Sequence, residues 1–182
     1  MYYTDTLRAT RLLIGSMMGA LVMLAVVLLV TLEGETLLAV PPLPWLVGVL
    51  IAGAVTLAVL ELMGLAVVRP LTPGLSRADA AAASVMFFRT ATIVRFAIAE
   101  MVALASFAGA FIVEEGGFVL YLVGMSVSLA LLMLEAWPSR RTVRRTQEVL
   151  EREGARSHLM ELYGFEPWTG RDTDKPSAVT RG

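Results

Sequence analysis

Cysteine is absent from this 182-residue chain, and histidine occurs once, as His158. The missing cysteine excludes disulfides, thiolate nucleophiles, Cys-ligated zinc and iron–sulfur clusters. A single histidine excludes a histidine cluster for haem or metal within one chain, and a Ser-His-Asp set could draw only on His158. Charge is scarce as well. Only 17% of the residues are charged and 57% are hydrophobic, whereas soluble domains average about 25% charged and about 45–50% apolar. Positive charge is missing altogether from Leu12 to Val68 and from Phe96 to Ser139. These deficits describe a chain whose main solvent is not water.

What fills the gaps is long apolar runs. A membrane-crossing helix needs about 20 consecutive apolar residues, and four segments qualify: 12–32, 44–68, 85–113 and 117–137. The runs are continuous rather than alternating, which predicts helices and not barrel strands. The third is expected to extend back through "ADAAAAS" as a water-exposed helical stem. Breaks fall between the runs: Glu33-Gly34-Glu35 with Pro41, Pro42 and Pro44; Arg69-Pro70 with Pro73-Gly74; the tight turn Glu114-Glu115-Gly116-Gly117; and Pro138. The first run is too long for a signal peptide and lacks a small-residue cleavage site after it, so it reads as a retained anchor. The expected fold is all-α: an integral membrane protein with four transmembrane helices packed as a compact bundle of two hairpins. It consists of a short N-terminus (1–11), a four-span domain (12–138), a basic, amphipathic tail (139–168) and a disordered end (169–182).

Basic residues cluster at Arg8 and Arg11, at Arg69, Arg77, Arg89 and Arg95, and at Arg140, Arg141, Arg144 and Arg145. The clusters alternate with two acidic turns, as four spans require. The positive-inside rule then places both termini and the middle loop in the cytoplasm, in a multi-pass protein of the cytoplasmic (inner) membrane. Trp45, Tyr121 and Trp137 lie near span ends, where aromatic belts form.

The tail "SRRTVRRTQEVLEREGARSHLMELYGFEPW" reads as a charged helix broken near Gly154, followed by a second apolar-patterned piece. Val143, Leu150, Leu159 and Leu162 are its expected buried positions, and His158 its surface residue. Arg140, Arg141, Arg144 and Arg145 form a juxtamembrane patch that enforces topology or docks anionic lipid; each such charge is worth about 1 kcal/mol at an anionic leaflet.

Small residues recur at four-residue spacing on every span: Gly15 and Gly19, Gly48 and Ala52, Ala99 and Ala103, Ala105 and Gly109, Ser106 and Ala110, Gly124 and Ser128. In lipid, helices associate by close van der Waals packing, and small side chains let backbones approach. These residues are expected to pack the bundle or to meet a partner subunit.

Three glutamates interrupt the spans. Glu135, close to Pro138 and Arg140, is expected at the interface. Glu61 and Glu100 fall at similar depths on antiparallel helices. A charge at the bilayer centre costs about 2.5–3.5 kcal/mol on insertion scales, so it faces the bundle interior, pairs or loses its charge. Arg95 is poorly spaced for a same-helix bridge to Glu100, and a cross-helix Arg95–Glu61 pair is the better expectation. Glu100 shares a face with Phe96, Ala97, Ala103, Leu104 and Phe107.

The stretch "RFAIAEMVALASFAGAF" resembles the carboxylate-bearing helix of rotary ATPase c/K proteolipid subunits, over about 17 residues. The resemblance implies that Glu100 is an ion carrier. It differs from the family in placing the carboxylate on the third span and the charged loops on the opposite side. Two functions are therefore expected as alternatives. One is a non-catalytic accessory or scaffold subunit of a larger membrane complex, partnered by lipid and by another membrane protein or its own copies. The other is a proton- or cation-handling protein using Glu100, with Glu61 as a second candidate. No enzyme activity, cofactor, metal or nucleic-acid partner is called for by the residues.

Overall fold

The computed structural model describes residues 3–32 and 38–165. Both Glu33-Gly34-Glu35 and the expected disordered end lie outside the described residues. The chain is all-α, and among the described residues four helices are long and apolar enough to span a membrane. Helix α1 runs Tyr3–Thr31, α2 Leu43–Met63, α3 Arg77–Gly109 and α4 Gly117–Leu131. The last continues as a π-helical turn, Leu132–Ala136. Two shorter helices follow, α5 at Arg140–Leu150 and α6 at Leu159–Leu162.

Local chemistry sets the ends. Pro44 occupies the first turn of α2, where its missing N–H costs nothing. Ser76 caps α3 by accepting from Asp79 N at 3.2 Å. Ser139 and Thr142 close a reciprocal capping box on α5. Gly116 turns the chain into α4 at φ 73°, and a Cβ there would collide with the Ala39–Pro41 backbone. The π turn was not expected from the sequence. The Trp137 N–H donates to Leu132 O at 2.9 Å, five residues back, and Pro138 has no N–H with which to continue the ladder.

The α3–α4 pair is the tightly packed hairpin, and α1 and α2 are each laid against it rather than against one another. Burial follows that order. In the apolar windows of α3 and α4, 44% and 39% of residues are buried, against 17% and 11% for α1 and α2. The expected second hairpin is thus joined by the chain but not by packing. The reason is visible in α1, where Ile14, Leu21 and Leu28 are buried at seven-residue spacing and most of the surface faces outward. Along α3–α4 the small residues do what their spacing predicts. Gly124 is in contact with Ser106, Ser128 Oγ donates to Ala99 O at 2.8 Å, and Ala103 is fully buried.

Tyr121, expected in an aromatic belt, is instead a core residue. It is fully buried, donates its hydroxyl to Leu21 O at 2.6 Å and meets Phe107 edge-on. A full-length Tyr pointing inward holds α1 to α4 because its phenol finds a backbone carbonyl.

A second apolar core lies at the arginine-rich end. Val68 and Leu71 of the α2–α3 connection, Ala80, Phe88 and Ala91 of α3, and Val143, Leu150, Leu159, Met160 and Tyr163 of the tail pack together. Leu71 N donates to Leu150 O at 2.9 Å, and the Phe88 and Tyr163 rings lie 4.7 Å apart. The stem of α3 is therefore helical but not water-exposed along its whole face, because the tail folds back over Ala80 and Ser84. The tail breaks at Gly154, φ 87°, and Leu162 is only half-buried.

Candidate functional site: a charge cluster where the spans end

Arg95 is 2% exposed and Glu135 is 3% exposed, and both belong to one cluster at the arginine-rich end of the bundle. Four elements build it. Helix α2 brings Glu61 and, just past its end, the Gly64 carbonyl. The π turn brings Glu135, α3 brings Arg95, and α5 brings Arg141 and Arg145. Pro138 turns the chain sharply after the π turn, so that α5 comes back beneath the residues it has just followed.

Arg95 donates Nε to Gly64 O at 3.1 Å and Nη1 to Glu135 O at 3.3 Å. These carbonyls lie at the C-terminal ends of α2 and of the π turn, where acceptors are left without intrahelical donors. Both helices point the negative ends of their dipoles at the same place, and a guanidinium there is favoured by both. Gly64 makes the approach feasible, since a Cβ on it would stand 3.1 Å from Arg95 Nε.

The carboxylates are held from below. Arg141 Nη2 bonds to Glu61 Oε1 at 2.9 Å, and Arg145 bonds to the other oxygen of Glu61. Glu135 lies 3.8 Å from Arg141 and 3.6 Å from Arg145. The Glu61 hydrogen bond holds the Arg145 guanidinium above its ordinary pKa. Three arginines and two carboxylates thus share the junction.

The expected Arg95–Glu61 bridge is not among these contacts. Glu61 is taken by two arginines from α5, and Arg95 by carbonyls, although its charge lies near both Glu135 and Glu61. Glu135, which the sequence placed at the interface with little weight, is one of the most buried members. Its signal was present: a proline three residues on, then arginines at offsets six and ten. A turn at that proline brings them under it.

The four tail arginines separate. Arg141 and Arg145 enter the cluster. Arg140 is exposed, and Arg144 pairs with Glu148 at 3.4 Å near the surface. Arg11 of α1 lies over the Trp137 ring, 5.9 Å from its centroid.

Glu100 stands apart. It sits on the border of the buried face of α3, between buried Phe96, Ala99 and Ala103 and exposed Ala97, Met101 and Leu104. Among the described residues it makes no hydrogen bond and no ion pair. Tyr121 is its electrostatic neighbour. Glu61 and Glu100 share no partner.

The glycines of α1 and the first glycine of α2 are not in close contact, whereas Gly109 of α3 packs against Leu120 and Trp45. Among the described residues, Gly15, Gly19 and Gly48 have no atom within 4 Å of where a Cβ would stand. Gly48 and Ala52 face Ala105, Ser106 and Gly109 across an apolar cavity of about 380 Å³, with Trp45 at its rim. His158, expected on the surface, is partly covered, adopts φ 54° and places Nδ1 3.3 Å from Glu161, which also pairs with Arg77 at 3.2 Å. Among the described residues no group of three His, Asp or Glu side chains is arranged to hold a metal. Compared with protein-family profiles, with curated proteins and with solved structures, the chain matches none.

Proposed function

We propose that the chain is a small polytopic membrane protein acting as a non-catalytic accessory or scaffold subunit of a larger membrane assembly. The observation that carries the reading is the open backbone on α1 and α2. Gly15, Gly19 and Gly48 are exposed, with no atom of the described residues within 4 Å of a Cβ position. Glycine inside a helix costs about 1 kcal/mol relative to alanine, and in a bundle that cost is offset where another backbone approaches. Among the described residues no helix comes within 4 Å of a Cβ at these three positions. The charge cluster supports the same reading, since its groups satisfy one another and fasten the tail to the spans. Purification in mild detergent followed by native mass spectrometry tests it. The expected result is a co-purifying membrane chain or a defined homo-oligomer; a lone monomer at every detergent concentration contradicts it.

A second reading, proton or cation handling, rests on Glu100. A carboxylate in the middle of an apolar helix, with no partner among the described residues, is a functional candidate by default in a membrane. The resemblance of its surroundings to a proteolipid helix points the same way. Flux measured in liposomes reconstituted with the wild type and with Glu100→Gln separates the readings, because the subunit role needs no flux from either.

A further inference from the structure

The arginines that follow the fourth span divide into two pairs with different surroundings. Arg141 and Arg145 are spent on Glu61 and Glu135. Arg140 and Arg144, four apart on the neighbouring stripe of α5, are exposed, as is the Arg141 side chain at 55%, and differ from the first pair in that, among the described residues, neither contacts Glu61 or Glu135. Arg140 makes no ion pair or side-chain hydrogen bond among the described residues. Among the described residues the one ion pair of Arg144 is to Glu148, with side chains 54% and 64% exposed.

The first pair fixes the level of the second. Glu61 lies two residues before the end of α2, and Glu135 one residue before the end of the π turn. Arg141 and Arg145 both reach the same Glu61 carboxylate, so that turn of α5 is held level with the ends of the apolar helices. Arg140 and Arg144 lie within a residue of those two anchors. The outermost apolar side chains at that level are themselves exposed, Leu62 at 84% and Met133 at 55%. The cluster behind them carries three guanidinium groups against two carboxylates, so the surface is positive before Arg140 and Arg144 are counted.

We propose that Arg140 and Arg144 form a docking face for the head group of an anionic phospholipid. The guanidinium groups take the phosphate by charge-assisted hydrogen bonds, and the acyl chains continue along the apolar helix ends. The proposal rests on the four long helices being membrane spans, which resistance of the protein to carbonate extraction checks separately.

Competition between phosphatidylglycerol and phosphatidylcholine for the full-length protein in mild detergent, read by native mass spectrometry, tests it. Wild type should retain phosphatidylglycerol in preference. An arginine at an anionic surface is worth roughly fivefold in binding, so Arg140→Gln/Arg144→Gln should lower the preference at least tenfold without changing the thermal midpoint. Arg140→Lys/Arg144→Lys should keep most of it. Glu148→Gln, which frees Arg144, should raise it. Arg152→Gln/Arg156→Gln, exposed arginines further along the tail, should leave it unchanged. An unaltered preference in Arg140→Gln/Arg144→Gln would overturn the proposal. So would an equal loss in Arg152→Gln/Arg156→Gln, which would leave only diffuse tail charge.

Discussion

Arg95 holds the ends of two helices at once, and its removal has a definite cost. Arg95→Met keeps the apolar stem but leaves the Gly64 and Glu135 carbonyls without this donor. At about 1–3 kcal/mol for each of the two buried groups left unpaired, the expected loss is on the order of 2–6 kcal/mol, read as a fall in the detergent unfolding midpoint. Glu61→Gln should cost less, because Glu61 and both of its arginine partners are partly solvated. A larger loss from Glu61→Gln than from Arg95→Met would show that the ion pairs, not the carbonyl contacts, fasten the junction. Glu100→Gln has no ion pair to break and is nearly isosteric, so the same midpoint should move by less than about 1 kcal/mol-equivalent. At this scale the sequence was only partly legible. It marked Glu61, Glu100, Arg95, Arg141 and Arg145 as the charged residues of interest, but it paired Glu61 with Arg95, where the structure pairs Glu61 with Arg141 and Arg145. Pairing depends on where α5 returns, and that is set by the π turn and Pro138, neither of which leaves a periodic trace. Glu135 was undervalued for the same reason.

Helix pairs differ in how much they rely on small residues, and two substitutions of the same kind should therefore differ in outcome. A side chain added at Gly124 lands on Ser106 of α3. Gly124→Val should open the α3–α4 hairpin, with a loss of at least about 1–3 kcal/mol, the usual range for overpacking. Gly19→Val meets nothing among the described residues and should leave the fold intact, while weakening any association with a partner. Circular dichroism for folding and native mass spectrometry for association separate the two. The tail packing makes a prediction about pH. Burial holds the Tyr163 hydroxyl above its ordinary pKa, against the weaker opposing effects of Thr10 and Arg89. A group whose folded-state value is raised favours the folded state while protonated, so its contribution is intact below about pH 10 and is lost as pH rises through the folded value. Alkaline melting curves should show wild type losing stability more steeply than Tyr163→Phe above pH 10; parallel curves would exclude Tyr163 as the cause. The elements themselves were legible from apolar run length and from Pro and Gly breaks. Which faces of α1 and α2 would be covered was not, because in lipid an apolar side chain suits either the core or the bilayer.

The whole molecule is organised by the separation of charge along the chain. Between the basic clusters lie two helix pairs with no lysine or arginine from Leu12 to Val68 and from Phe96 to Ser139. In the fold the arginine-rich segments gather at one end of the bundle, where a second apolar core of their neighbouring residues and the charge cluster both lie. The Gly116 turn lies at the other end. Four helices long and apolar enough to cross a membrane follow from composition alone, whereas the folding of the tail onto the stem of α3 required the pairing of Phe88 with Tyr163 and of Leu71 with Leu150, contacts between residues about 75 apart or more. Such contacts have no local signature. Four spans with the arginine-rich end inside make one claim above all about the molecule in its membrane. Single cysteines introduced by Glu115→Cys, Thr72→Cys and Arg152→Cys into this cysteine-free chain test it in intact cells with a membrane-impermeant thiol reagent. The account predicts that only Glu115→Cys is labelled, and that Thr72→Cys and Arg152→Cys react after permeabilisation. Labelling of Thr72→Cys and Arg152→Cys from outside, with Glu115→Cys protected, would contradict it.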